Sequence, residues 1–109
     1  SYDYAFSASD FYNQKVSLEL TKQGRLEEAL DTVELIKDES SKNRSFESIS
    51  IELALQGKLE KATDIAIRCN NWKAIKIISI EYVKRNELYK ANEIIKVIKN
   101  EKIKNDISG

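Results

Sequence analysis

Few residues in this chain could carry out covalent or metal chemistry. Cys69 is the one cysteine in the sequence and histidine is absent, so no imidazole could activate the thiol. A structural zinc site takes several cysteine or histidine ligands, and the chain has a single such side chain. Cys69 also falls at an apolar position of a predicted helix, where an inert thiol is expected. We therefore predict no catalytic residue, no metal site and no cofactor.

Carboxylates are abundant, but their spacing does not favour acid–base catalysis. Glu27 and Glu28 are neighbours on a predicted helix surface, where nothing would desolvate a carboxyl group. Glu19, Glu52 and Glu81 recur at one repeat position, which a solvated helix face explains better than an acidic binding stripe. A glycine-rich phosphate loop and a dinucleotide fingerprint are both absent from the sequence. The sequence predicts that the protein is not an enzyme.

The net charge of the chain and its distribution restrict the classes of partner that are expected. The 18 basic and 18 acidic residues cancel, so bulk charge does not favour nucleic acid. Residues 1–71 nevertheless carry a net charge of −4 and residues 72–109 one of +4. No apolar run approaches the roughly 20 residues of a membrane span. The chain starts at Ser1 and has no methionine, which indicates a processed product or a piece of a longer protein; a cytoplasmic location is the default expectation, with a secreted product as the alternative.

The helices that position the residues above are predicted from a short sequence block that occurs three times. The copies are residues 23–29 (QGRLEEA), 56–62 (QGKLEKA) and 85–91 (RNELYKA). A second block, found in residues 16–20, 49–53 and 78–82, recurs at a fixed distance before the first. Gly24, Gly57 and Asn86 hold the second place of the first block, and they are separated by 33 and 29 residues. Two blocks in one register indicate an internal repeat.

Glycine and asparagine at this position predict the ends of helices. Both tolerate the left-handed conformation that commonly closes a helix, whereas other side chains clash there. Gly24, Gly57 and Asn86 would each end a helix A and let the chain reverse into a helix B. Apolar residues at spacings of three and four on either side of these hinges give each helix one buried face. We predict six helices: A1 at 9–23, B1 at 25–37, A2 at 42–56, B2 at 58–69, A3 at 71–85 and B3 at 87–100.

The pattern of small, leucine, alanine and large apolar positions resembles the tetratricopeptide repeat over roughly residues 10–100. In the first unit the matching positions are Val16, Ser17, Leu20, Gly24, Leu26, Ala29, Val33 and Ile36, and both later units match at their counterparts. Because the unit length varies and no proline closes helix B, the resemblance is to degenerate, TPR-like members of the family. It implies an all-α fold, a right-handed α-solenoid of about three antiparallel helix–turn–helix repeats. We expect one domain, 1–109, with repeats at about 10–42, 43–71 and 72–104, forming part of a longer array.

Repeats of this family bind a peptide or a helix on a concave face lined by the A helices. The resemblance places nine partner-binding residues on that face: Gln14, Leu18, Arg44, Glu47, Ile51, Lys73, Lys76, Ile80 and Lys84. Thr21, Ala54, Leu55 and Val83 fall at further inward positions. The apolar column Leu18, Ile51 and Ile80 could instead belong to the core, or be covered by the N-terminal segment that contains Tyr2, Tyr4 and Phe6. Both alternatives stay open at this point.

The sequence favours a non-catalytic protein–protein interaction scaffold or adaptor, with a protein or peptide as partner and no membrane. An RNA-binding repeat of the pentatricopeptide type is the first alternative, which Trp72 and the basic C-terminal half support. A purely structural or oligomerisation segment is the second. Helix B3, 87–100, carries apolar residues on more than one face, including Ile94, Ile95, Val97 and Ile98. We therefore expect either a homodimer or continued repeat stacking through this helix.

Overall fold

The chain folds into α-helices joined by short turns. The computed structural model describes residues 7–108, with side chains for residues 7–98, and contains no strand in that range. The six helices of the described part are α1 (Ala8–Lys22), α2 (Leu26–Val33), α3 (Glu39–Leu55), α4 (Leu59–Arg68), α5 (Trp72–Lys84) and α6 (Leu88–Ser108). The all-helical class predicted from the sequence is confirmed.

The three predicted hinges share one backbone geometry. Gly24, Gly57 and Asn86 have φ values of +81°, +84° and +64°. The N–H of each donates to the carbonyl three residues earlier, and the next N–H donates to the carbonyl five residues before it. This pair of bonds satisfies carbonyls that the end of a helix would otherwise leave free. The hinge prediction is therefore confirmed at all three positions.

A fourth left-handed residue joins the second hairpin to the third. Asn70 has a φ of +52°, and its N–H donates to the carbonyl of Ile67 across 3.1 Å. The N–H of Asn71 then donates to the carbonyl of Ala66 across 2.9 Å, which repeats the geometry of the other hinges. The same left-handed turn thus reverses the chain within each hairpin and also between the second hairpin and the third.

Packing follows the order of the chain. α1 packs on α2, α3 on α4 and α5 on α6, while the first helices of successive hairpins also pack on one another, α1 on α3 and α3 on α5. The Cα atoms extend over 46 × 39 × 17 Å. Two packed helices lie about 8–10 Å apart axis to axis, so the short dimension corresponds to two layers. We call α1, α3 and α5 the A helices and α2, α4 and α6 the B helices.

Small side chains lie where helices approach closely. Ala29, Ala62 and Ala91 occupy the same place in successive B helices and are buried. Ser17, Ser50 and Ser79 are their buried counterparts in the A helices. Around them pack large apolar residues, including Val33, Ile36, Ile49, Leu53, Ile75 and Ile78. A larger residue at a small position would push the pair apart, because interiors are packed too densely to absorb added volume.

The predicted helix boundaries are wrong in three places. α2 ends at Val33 rather than at 37, and α3 begins at Glu39 rather than at 42. The reason is Asp38, whose Oδ2 accepts hydrogen bonds of 2.9 Å from both the N–H and the hydroxyl of Ser41 and so caps α3 early. The predicted repeat boundary at 42/43 consequently falls inside α3. α6 continues through Ser108, past the predicted end at 100.

Candidate functional site

The nine residues predicted to bind a partner lie on the A helices. Along α5, Lys73, Lys76, Ile80 and Lys84 follow one another at spacings of three and four, so they share a face. Arg44, Glu47 and Ile51 of α3 are related in the same way, as are Gln14 and Leu18 of α1. Because neighbouring A helices pack on one another, these stripes lie side by side. We call this surface the A face.

The apolar column is not part of the fully buried core. Leu18 and Ile51 are half-buried, and Ile51 packs partly against core residues. Ile80 is 55% exposed, and Leu55, one turn beyond Ile51, is 70% exposed. Val83, three residues after Ile80, is also exposed. The segment with Tyr2, Tyr4 and Phe6 lies outside the described residues.

Two of the further inward positions are core residues instead. Thr21 and Ala54 occupy one repeat position and are buried. The hydroxyl of Thr21 donates to the carbonyl of Ser17 across 2.9 Å within its own helix. Side chains with so little accessible surface cannot line a groove, so the prediction for these two positions is wrong. Their position faces the neighbouring helices, which calls for small side chains.

Lysines surround the exposed apolar residues of α5. Lys73, Lys76 and Lys84 are all exposed. The ammonium of Lys84 lies 3.3 Å from Glu81 Oε2, and that of Lys73 lies 3.6 Å from Glu47 Oε2. The two lysines are exposed and the two glutamates are half-buried, and ion pairs with a solvent-exposed partner are weak. The α5 part of the A face is therefore apolar at its centre and positive around it.

Glu47 has a structural task besides its place on the A face. Its Oε1 accepts a hydrogen bond of 3.1 Å from Asn71 Nδ2, across the A-helix layer. Asn71 is the N-cap of α5, and its Oδ1 accepts from the N–H of Ala74 across 2.8 Å. Glu47 thus holds the residue that starts the next A helix. A change at Glu47 would disturb the stacking as well as any partner contact.

Side chains at the opposite end of the A helices form a second set of links, which the sequence did not reveal. Gln56 Nε2 donates to the carbonyl of Thr21 across 3.1 Å, from the end of α3 to the end of α1. Arg85 Nη2 donates to the carbonyl of Gly57 across 2.5 Å. Gln56 and Arg85 both precede a left-handed residue. A long polar donor at that register position was the signal that could have identified them.

Asp10 is a buried carboxylate with a role that was also missed. Its Oδ1 accepts from the N–H of Lys37 and its Oδ2 from the N–H of Asp38, both at 3.0 Å. Asp10 does not cap α1, because Ser7 is the cap and accepts from the N–H of Asp10 across 3.2 Å. Asp10 instead fastens the α2–α3 loop to α1.

Two open grooves lie between successive B helices, and further open cavities of about 490 and 420 Å³ lie beside the α2–α3 loop and along α1, the latter lined in part by Leu18 of the A face. An open groove of about 600 Å³ separates α2 from α4, with Leu26, Leu30 and Ile65 along it. A second groove, of about 320 Å³, separates α4 from α6 and is bridged by Lys90, whose ammonium lies 3.3 Å from Glu60 Oε2. The hydrogen bond to Glu60, with the nearby charge of Glu87, raises the pKa of Lys90. Charged residues of both signs line each groove.

Cys69 lies at the end of α4 and is half-buried. Burial raises the pKa of its thiol, and the neighbouring charge of Arg68 offsets this only in part. A thiol in such surroundings is protonated at neutral pH and therefore a poor nucleophile. Across residues 7–98, no group of three or more Cys, Asp or Glu side chains converges in a way that could hold a metal ion.

The chain was compared with known protein families, curated proteins and solved structures. No protein-family model, no curated protein and no solved structure matches the chain. None of the helices between residues 7 and 108 combines the length and the apolar character that crossing a bilayer requires.

Proposed function

We propose that the chain is a TPR-like, non-enzymatic interaction scaffold that binds a protein partner on the A face. The fold proposed with it is a right-handed α-solenoid of helix–turn–helix repeats. Its support is the common hinge geometry at Gly24, Gly57 and Asn86 and the packing of each A helix on the next. In such an array the A helices line one continuous surface, which suits an extended ligand.

The observation that carries this proposal is the exposure of large apolar side chains at the centre of the A face. Ile80 and Leu55 leave much of their surface in contact with water, on two helices that pack together. Burying apolar surface stabilises a complex by about 25 cal/mol per Å² before the costs of association. Apolar groups gathered on one face of a monomer are therefore typical of a binding surface.

The surrounding charge selects the class of partner. Lys73, Lys76 and Lys84 favour a ligand with acidic residues beside its apolar anchors. The ligand is then an extended peptide or an amphipathic helix, since both present apolar residues along a line. Acidic flanks could bind Lys73 and Lys84 in addition to or in place of Glu47 and Glu81, because the ammonium groups of both lysines are exposed.

A pentatricopeptide-like RNA-binding repeat is the less favoured reading. Two of the lysines on α5 face glutamates of this chain at 3.3 and 3.6 Å, and the centre of the face is aliphatic rather than aromatic. Single-stranded RNA is bound by aromatic side chains that stack on bases within a positive groove. Trp72, the residue that kept this reading open, is half-buried and packs against the core.

Selection from a displayed library of short random peptides tests the proposal. We expect enriched peptides to combine large apolar and acidic residues and to lose at least about tenfold in affinity for an Ile80→Glu variant. Ile80 is exposed, so this variant should keep the helical circular dichroism of the parent. The matched control is Ile95→Lys, at an exposed isoleucine on α6, which should leave the affinity unchanged.

Two outcomes would contradict the proposal. One is a set of enriched peptides that bind the parent and the Ile80→Glu variant equally well. The other is binding of single-stranded RNA at low salt that weakens as salt is added, which would favour the RNA-binding alternative. A charge reversal at Lys76 and Lys84 should move the preference of the selected peptides from acidic towards basic flanks.

A further inference from the structure

The last B helix exposes residues that its counterparts bury. Leu88 of α6 is 58% exposed, whereas Leu59, at the same position of α4, is 3% exposed and Leu26 of α2 is half-buried. Ile95 of α6 is 46% exposed, whereas its counterparts Val33 and Ala66 are fully buried. Leu88 and Ile95 are seven residues apart and share one side of α6. We call this side the trailing face.

The packing of the earlier hairpins indicates what covers such a face. α2 packs on α1 and also on α3, and α4 packs on α3 and also on α5. The extensive packing of α6 is with α5 alone. Each earlier B helix is therefore covered by the A helix of the next hairpin, and the trailing face of α6 lacks that helix.

The A helices carry a matching stripe. The stripe consists of a small residue, an isoleucine four positions later and a leucine or tyrosine four positions after that. Its residues are Ser45, Ile49 and Leu53 in α3 and Ala74, Ile78 and Tyr82 in α5. All six are buried. In α1, which has no hairpin before it in the described residues, the same stripe reads Tyr12, Val16 and Leu20. There Tyr12 is 66% exposed, and Val16 and Leu20 are half-buried. The stripe is thus the surface that a preceding hairpin covers.

We propose that the trailing face of α6 is a docking surface for an amphipathic helix of a partner protein that carries this stripe. The chain does not turn back over the face after Ile98, as it does at Asn70 after α4, because α6 continues as a helix through Ser108. The proposed occupant is therefore a helix from outside residues 7–108. The inference does not depend on the proposed function, since the trailing face and the A face lie on different helices.

A second copy of this chain is not the expected occupant. Its free stripe, on α1, begins with Tyr12, where α3 and α5 have Ser45 and Ala74. A phenol ring at the position of closest approach would hold two helices apart, in a place where the packed pairs admit only a hydroxymethyl or a methyl group. The stripe of α5 is the better model of the partner.

A peptide of residues 70–86, acetylated and amidated, is the probe. It is titrated into the isotopically labelled full chain, and amide shifts are followed by NMR. We expect shifts centred on residues 88–96 of α6, at peptide concentrations up to about 1 mM. A peptide with Ala74→Tyr should bind at least about tenfold more weakly, since it restores the bulk found in α1.

Matched variants of the chain separate this surface from the A face. Ile95→Lys and Leu88→Lys, both at exposed positions, should each weaken binding of the α5 peptide about tenfold. Ile80→Glu should leave it unchanged. The inference is overturned if the shifts fall on the A face, or if no shifts occur. It is also overturned if light scattering finds a dimer of the unmodified chain that Ile95→Lys dissociates, because a second copy would then occupy the trailing face.

Discussion

Arg85 reaches from the end of α5 to the hinge of the preceding hairpin, where its Nη2 donates to the carbonyl oxygen of Gly57 across 2.5 Å. The two residues are 28 positions apart in sequence. Gln56 makes the corresponding link from α3 to the carbonyl of Thr21. Successive hairpins are therefore joined by polar contacts at their turns as well as by apolar packing between their helices.

Removal of the Arg85 guanidinium should loosen this link. We expect Arg85→Ala to lower the free energy of unfolding by about 1 kcal/mol, the usual net value of one hydrogen bond. Arg85→Gln, which places at this position the residue that α3 uses, should recover part of the loss. Urea unfolding measures both. Arg44→Ala, an exposed arginine without a described partner, is the control and should change stability by less than about 0.5 kcal/mol.

The two hinge glycines should respond differently to alanine. Both have positive φ, so Gly24→Ala and Gly57→Ala should each cost about 1–2 kcal/mol in backbone strain. A Cβ at Gly24 would meet nothing within 4 Å, whereas one at Gly57 would lie 2.8 Å from Arg85 Nη2. Gly57→Ala should therefore be the more destabilising change. Thermal unfolding tests whether the contact with Arg85 is the cause. When both alanine variants also carry Arg85→Ala, Gly57→Ala should destabilise the protein no more than Gly24→Ala does.

Asp10 should be the most sensitive carboxylate. Asp10→Ala removes the acceptor of two backbone N–H groups, those of Lys37 and Asp38, and should cost about 2–3 kcal/mol because both bonds go to a charged group. Hydrogen exchange at these two amides should accelerate. Asp31→Ala, an exposed carboxylate on α2, serves as the control. Parent-like exchange at residues 37 and 38 would show that the loop is held by something else.

The Arg25–Glu28 pair gives a pH dependence with a definite sign. Arg25 Nε and Nη2 donate to the carboxylate of Glu28 across 2.7 and 2.6 Å, and these bonds hold the pKa of Glu28 below its ordinary value. A carboxyl with a lowered folded-state pKa contributes stability above its unfolded-state pKa, and that contribution is lost as the pH falls through the folded-state value. Arg25→Ala should raise the Glu28 midpoint in a carboxyl NMR titration and remove this contribution. An unchanged midpoint would mean that the pair does not persist in solution.

The hinges could be predicted from the sequence because the determinant is local. Gly24, Gly57 and Asn86 adopt a conformation that other residues avoid, so residue type alone marked them. The residues of the A face, by contrast, were assigned from the resemblance to tetratricopeptide repeats. Asn70 has the same geometry, but no left-handed residue was expected between the predicted helices B2 and A3.

The features that could not be predicted from the sequence depend on contacts between distant parts of the chain. The partners of Asp10 are 27 and 28 residues away, beyond the reach of any local pattern. Thr21 and Ala54 have side chains compatible with either a surface or a core, and the neighbouring A helix decides between them. The early start of α3 depends on Asp38, whose capping role competes with the helix signals around it.

The order of packing has a consequence for how the molecule folds and opens. Every helix contacts helices that are at most two elements away along the described chain, so the loops that must close during folding are short. Chains dominated by such local contacts fold in microseconds to milliseconds. For the same reason α6 can detach without breaking any contact made by α1 or α2. Transient local unfolding should therefore start at the two ends of the stack of helices and spread towards its middle. We expect α3 to be the helix whose amide protons exchange last.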